Sequence, residues 1–148
     1  MIAFERRQLL AACAVILVAA SSPTLAALKS PDGVRTSLRI MNQVVTHTGR
    51  LIMAGSYDQL PRESREFTEG AELLRTSIAG EPETFKARIN PLMRRAVLAS
   101  SDLNAASKSR NPERIRAAHE MFAETVQRVI VQFPENLRPP AVITRIHR

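Results

Sequence analysis

The sequence is poor in the residues that build chemically specialised sites. Its 148 residues include one cysteine, one tyrosine and no tryptophan. The cysteine, Cys13, lies in an N-terminal stretch that we expect to be removed, so the mature chain has no thiol. It can therefore form no disulfide, no thiolate metal site and no thioether bond to a haem. The lack of aromatic residues removes the stacking platforms used to bind single-stranded nucleic acid, which is not an expected partner.

The first 26 residues have the pattern of a signal peptide. Arg6 and Arg7 form a basic region, and residues 9–20 form an apolar run too short to span a bilayer as a helix. Small residues then suit cleavage after Ala26. The paired arginines also fit a twin-arginine signal, but the residue before them departs from that pattern, so we favour an ordinary secretory signal. The sequence predicts a mature chain with no transmembrane segment, exported to the periplasm of a Gram-negative bacterium.

The charge of the chain is strongly positive. The formal net charge is +7, and removal of the leader leaves about +6. An exported basic protein meets anionic lipid, acidic partner proteins and carboxylate ligands more often than nucleic acid. The excess of arginine is equally typical of a solvated helical surface, so charge alone does not select a function.

Four stretches repeat apolar residues at spacings of three and four, which indicates amphipathic helices. We expect helices over about 31–54, 61–79, 82–108 and 112–133. In the third helix, Pro91 produces either a kink or a restart after a short turn. No stretch alternates with period two for long enough to form a strand. The sequence therefore predicts an all-α, up-down-up-down four-helix bundle over 27–133 and an irregular basic tail over 134–148.

Two local signals refine this prediction. Asn111 and Pro112 are suited to the N-cap and first position of the fourth helix, and Pro134 predicts that this helix ends at Phe133. Gly49, inside the first helix, indicates either a weak point or a close approach by a neighbouring helix.

Several short motifs occur in an order that resembles the cytochrome c′ family of exported four-helix bundles. Met41 with residues 46–51 is similar to the family's first helix, and residues 54–58 to its following turn. Residues 84–86 resemble the start of its third helix, and 111–118 the entry to its fourth. The resemblance extends over 34–133. It implies a four-helix bundle, and relatives commonly form dimers through their first two helices.

The haem-attachment motif of that family is absent. The resemblance places Val126 and Val129 where the family has the two cysteines of CxxCH, and Ile130 where it has the axial histidine. No covalent haem c can form on these residues. The resemblance therefore implies a member without covalent haem. Its former haem cavity is either packed shut by Val126, Val129 and Ile130, which favours a role for the surface, or open and apolar with Met41 and Phe122 among its walls, which would suit a small hydrophobic ligand.

Met41, His47 and His119 are the remaining candidates for binding a cofactor. Because the first and fourth helices of such a bundle are antiparallel, His47 and His119 are expected at one level. Imidazole pairs suit copper, zinc or haem iron. The alternative is structural: both histidines hydrogen-bonded to the backbone or to Thr48, and Met41 filling the core.

No catalytic motif is present, and Glu63, Glu66 and Glu69 are interpreted as a solvated helix face rather than as general acids. We therefore expect that the protein is not an enzyme and has no catalytic residue. The expected role is that of a non-catalytic accessory or binding protein, for example in a redox or metal-handling system, with a periplasmic protein partner or a small apolar ligand. The alternatives are a protein that binds copper, zinc or non-covalent haem, and a structural homodimer.

Overall fold

The computed structural model of the protein describes residues 27–141, and the leader and the end of the tail lie outside this range. Four helices follow one another along the chain: α1 (Pro31–Met53), α2 (Leu60–Ser77), α3 (Glu83–Lys108) and α4 (Pro112–Ile130). Single 3-10 turns occur at Tyr57–Gln59 and Glu135–Leu137. The described chain contains no strand, and each helix packs against two neighbours in a closed ring. The predicted all-α four-helix bundle is confirmed.

One apolar core runs through the bundle, built from the inward face of every helix. Phe67 of α2 meets Phe122 of α4 edge to face, with ring centroids 4.8 Å apart, and these two rings join opposite helices across the centre. A second edge-to-face pair, Phe85 with Phe133, closes one end at 5.8 Å. Such pairs add to the stabilisation that burial of the rings already provides.

The third helix continues through Pro91 without a restart, which decides between the two predicted alternatives. Proline removes one backbone hydrogen bond from a helix and crowds the preceding turn. The carbonyl that loses its donor is that of Ala87, four residues before Pro91, and both residues are exposed, so water can satisfy it. Ile89 and Met93 on either side are buried and hold both halves of the helix against the core.

The fourth helix ends at Ile130, three residues before the predicted end at Phe133. After Ile130 the chain makes one tighter turn before Pro134, in which each N–H donates to the carbonyl three residues back. Gln132 N–H donates to the Val129 carbonyl at 3.1 Å, and Phe133 N–H to the Ile130 carbonyl at 3.2 Å. Tightening of this kind is common at helix ends. Phe133, the last residue with a backbone N–H before Pro134, packs against Phe85.

The first part of the predicted tail, residues 134–141, is packed against the bundle. Leu137 is buried in the core. Arg138 donates from Nε to the Phe133 carbonyl at 2.7 Å and from Nη2 to the Val131 carbonyl at 3.0 Å, so it caps the carboxyl end of α4. The amide of Asn42 on α1 donates to the Pro140 carbonyl at 3.5 Å.

Within residues 27–141, no helix combines the length and the apolar character required to cross a lipid bilayer.

The fourth helix begins as predicted, since the Asn111 side chain accepts from the backbone N–H groups of Glu113 at 3.0 Å and Arg114 at 3.1 Å.

Candidate functional site

The three residues that the family resemblance aligns with the haem-attachment motif lie in the core. Val126, Val129 and Ile130 are 1%, 0% and 3% exposed and belong to the same cluster as Phe122. Protein cores are packed about as densely as organic crystals, so side chains in such a cluster leave little room for a ligand.

Met41 is also a core residue. It is fully buried on the inner face of α1. Its Cγ would lie 3.6 Å from a Cβ placed on Gly70 of α2, so the methionine packs at a close contact between the two helices. The thioether contributes to the packing of α1 on α2.

His119 is buried on the inner face of α4, with 2% of the residue exposed. Its Nε2 lies 3.0 Å from the carbonyl oxygen of Val45 on α1. A carbonyl can only accept, so Nε2 must carry the proton. Thr48 also donates to this carbonyl, at 2.9 Å. The contact joins α4 to α1, and it gives the buried imidazole a backbone carbonyl as its hydrogen-bond partner. This is the structural alternative predicted for His119.

Gly49 makes room for the His119 ring. A Cβ at position 49 would lie 3.2 Å from Cε1 and 3.4 Å from Nε2 of His119, closer than side chains normally pack. The glycine therefore marks a close approach between α1 and α4, one of the two roles expected from its position inside the helix.

His47 lies on α1 between Val45 and Gly49, the two residues that His119 contacts, but its side chain points toward α2. Its Nδ1 is 3.0 Å from Oε2 of Glu63, and the side chains are 52% and 4% exposed. The interpretation of Glu63 as part of a solvated face is wrong: this carboxylate is buried. Glu66 and Glu69 are exposed, as expected for that face. A buried carboxylate costs free energy unless it is paired, and His47 supplies the partner.

The sequence contains a signal that Glu63 is buried, although its charge suggests the opposite. The apolar stripe of α2, formed by Phe67, Ala71 and Leu74, reaches position 63 when it is continued one turn toward the N-terminus. The charge of Glu63 suggested a solvent-exposed position, whereas the helical spacing places it on the buried face of α2.

His47 on α1 and His119 on α4 thus lie at the same level of the bundle, but they share no hydrogen-bond partner. His119 bonds the Val45 carbonyl, and His47 pairs with Glu63. Among residues 27–141, no three His, Cys, Asp or Glu side chains are grouped as ligands for a metal ion.

A polar contact between α2 and α3 was not foreseen from the sequence. The hydroxyls of Ser64 and Ser100 are 3.0 Å apart. One helical turn further along α3, Oδ1 of Asn104 is buried without a hydrogen-bond partner in the described chain. Helical spacing places Ser100 on the apolar stripe of α3, four residues after Ala96 and three before Leu103, which is a signal of the same kind as that for Glu63.

A surface pocket of about 320 Å³ opens where the end of α1 meets the beginning of α4. Its lining residues are Gly49, Ile52, Met53, Tyr57, Pro112, Arg116 and His119. Of these residues, only His119 was expected from the sequence as a candidate binding residue; Gly49 and Pro112 were expected to have structural roles. The pocket joins an apolar wall to a guanidinium, a phenol and an imidazole, which gives it the mixed character of a small-molecule site.

Comparison with known protein families, curated proteins and solved structures finds no match for this chain.

Proposed function

We propose that this chain is an exported, non-catalytic binding protein, a cytochrome c′-like bundle without haem that engages its ligand or partner at its surface. The observation that carries the proposal is the burial of Val126, Val129 and Ile130 within the apolar core. A bundle whose central space is filled by its own side chains has its outer faces and ends left for recognition. Export rests on the leader sequence, and the family resemblance on the order of its motifs.

The central packing explains why a cofactor is not part of the proposal. Phe122 lies one helical turn before Val126 and meets Phe67 edge to face in the middle of the bundle. A planar macrocycle would have to displace this pair and the neighbouring valines. Losing a buried phenylalanine typically costs about 3–5 kcal/mol, so insertion would remove a large part of the stability of a small domain.

The first experiment is an absorption spectrum with metal analysis of the protein purified from the periplasm without added cofactor, followed by titration with haemin. We expect no Soret band, no stoichiometric metal and no saturable haemin complex. Stoichiometric haemin binding that is lost in His119→Gln would overturn the proposal, because it would place a ligand in the core. Failure of the leader to direct the chain to the periplasm would remove the exported part of the proposal.

The family resemblance has its own test. The triple variant Val126→Cys, Val129→Cys, Ile130→His restores a CxxCH sequence, and we would produce it with a cytochrome c maturation system. If these are the positions of a former haem site, the variant gains covalent haem, and it retains a cooperative helical fold once Phe122→Ala is added to make room for the macrocycle. Haem attachment accompanied by loss of the cooperative fold would show that the core was not built around a haem at this place.

Metal binding is a second candidate, favoured by the contact between His47 and Glu63. A carboxylate bonded to Nδ1 orients an imidazole so that Nε2 can bind a metal, as outer-shell carboxylates do in metalloproteins. Equilibrium binding of Cu²⁺ or Zn²⁺ that is lost in His47→Gln but retained in His119→Gln would support it. Equal binding by both variants would assign the metal to other groups.

A further inference from the structure

The pocket between α1 and α4 has two chemically different walls. Ile52, Met53 and Pro112 form an apolar side, and Tyr57 and Arg116 form a polar side. Met53 is 70% exposed, the most exposed of the large apolar side chains in residues 27–141. Such a pocket suits a ligand with an apolar body and one polar group.

Arg116 is an unpaired cation at the rim of this pocket. Three other exposed arginines bond a carboxylate one helical turn away, among them Arg75 with Glu72 at 2.7 Å and Arg128 with Glu124 at 2.5 Å, but most arginines of residues 27–141 have no such partner. Arg116 is distinguished from these by its place in the lining of this pocket. Arg116 also has acidic residues three positions before it and four after it, yet it lies within 4 Å of no carboxylate in residues 27–141. Its guanidinium is therefore free to bind an anion, and its planar fork matches a carboxylate.

Tyr57 offers a second polar contact. The residue belongs to the 3-10 turn after α1, and its ring is half-buried against the core. Its hydroxyl makes no hydrogen bond with the described chain. A half-buried phenol normally places its hydroxyl where a partner can be reached. Tyr57 lines this pocket and also a second pocket of about 260 Å³ beside Lys108 and Arg110.

Gly49 and His119 form the rigid part of the lining. The His119 ring is fixed by the Val45 carbonyl, and the glycine hydrogen is all that separates α1 from the ring at this point. A site built on two packed helices holds its geometry better than one built on loops. The pocket is therefore preformed on the side where α1 and α4 meet.

From these contacts we infer that the pocket binds a small organic carboxylate, with its apolar body against Ile52, Met53 and Pro112, its carboxylate paired with Arg116, and a hydrogen bond from the Tyr57 hydroxyl. The inference rests on the proposed binding function and supplies its ligand class. The volume of about 320 Å³ lies at the small end of ligand pockets, which run from about 300 to 1,000 Å³. A single ring or a short branched chain fits this size.

The test is a titration of the ¹⁵N-labelled protein followed by ¹H–¹⁵N correlation spectra, with sodium benzoate as probe. Benzyl alcohol keeps the ring and removes the charge, and acetate keeps the charge and removes the ring. We expect benzoate to shift the amides of Gly49, Tyr57, Arg116 and His119 saturably, and both comparison compounds to bind about tenfold more weakly or worse. Equal binding of benzyl alcohol, or benzoate shifts confined to other helices, would overturn the inference.

Two arginine variants locate the charge. Arg116→Gln should weaken benzoate binding about 10- to 100-fold, since hydrogen bonds to charged groups are the strong ones. Arg114→Gln is the matched control: it removes a cation from the same exposed helix, two residues away, outside the pocket. Tyr57→Phe should weaken binding about two- to tenfold, as expected for one neutral hydrogen bond. Equal losses in the two arginine variants would mean that net charge, not this pocket, attracts the anion.

The outcomes separate this inference from the proposed function. Haemin or metal bound in the core would overturn the proposed function, whatever benzoate does. A cofactor-free protein that ignores benzoate would leave surface recognition in place and remove the carboxylate as its ligand.

Discussion

The two histidines of the bundle, His47 and His119, occupy the same level and have opposite surroundings. His119 is enclosed between α1 and α4 and bonds a backbone carbonyl, whereas His47 is half exposed and bonds the buried carboxylate of Glu63. In the first pair the imidazole is the buried group that needs a partner. In the second the carboxylate is the buried group and the imidazole supplies the partner. Proximity in the fold therefore says little about role until each ring's hydrogen-bond partner is known.

The largest difference between the two sites should appear when each ring is removed. His119→Ala leaves a cavity in the core and removes one donor from the Val45 carbonyl, so we expect a loss of about 3 kcal/mol in the free energy of unfolding. Urea unfolding followed by circular dichroism measures it. A loss below about 1 kcal/mol would mean that the ring is less tightly enclosed than its burial indicates.

His47→Ala should cost less, about 1–3 kcal/mol, because it leaves the buried Glu63 carboxylate without its partner while opening a path for water. The same denaturation experiment measures it, and a double-mutant cycle with Glu63→Gln isolates the pair. Glu66→Ala is the control: the residue has the same charge on the same helix, is exposed, and should change stability by less than about 0.5 kcal/mol. Equal effects of changes at Glu63 and Glu66 would contradict the assignment of Glu63 as a buried partner.

Gly49→Ala sharpens the comparison because its sign should depend on His119. Alanine gains about 1 kcal/mol over glycine inside a helix, but its Cβ would lie 3.2 Å from Cε1 of the His119 ring. We expect a net loss of about 1 kcal/mol or less in the wild-type background, as the ring is displaced by a few tenths of an ångström. In the His119→Ala background the same change should stabilise, by up to about 1 kcal/mol. Equal effects in both backgrounds would exclude the contact.

The smallest effect to measure is the position of one proton in each ring. The Val45 carbonyl requires the proton of neutral His119 on Nε2, and the Glu63 carboxylate favours the proton of neutral His47 on Nδ1. Long-range ¹H–¹⁵N spectra of the imidazoles distinguish the two tautomers. Identical tautomers would mean that one of the two hydrogen bonds does not persist in solution.

The sequence was sufficient for the architecture because the relevant signals are local. Apolar spacing located four helices, and the Asn111–Pro112 pair located the start of α4, where the asparagine side chain accepts from Glu113 and Arg114 as expected. The end of the regular helix was placed three residues too late, because apolar spacing does not distinguish an α-helical turn from the tighter turn that leads to Phe133.

The candidate site was harder to foresee because it joins residues far apart in the chain. The pocket combines residues from the end of α1, the following turn and the beginning of α4, and no short motif joins Met53, Tyr57 and Arg116. The level of the histidines followed from antiparallel helices, but their separate partners depended on rotation of each helix about its axis. Glu63 was within reach of helical spacing alone, and its charge was given too much weight.

The packing of residues 134–141 onto α1 has a consequence for the order in which the fold is completed during synthesis. Asn42 bonds Pro140 across 98 positions in the chain, and Leu137 completes the core beside the first helix. The α1–α2 hairpin is made early, but the side of α1 that receives α4 and Leu137 stays uncovered until residues 112–141 have been made. A nascent chain that stops before α4 thus presents an apolar stripe to its surroundings, and a holding chaperone would find its binding surface there.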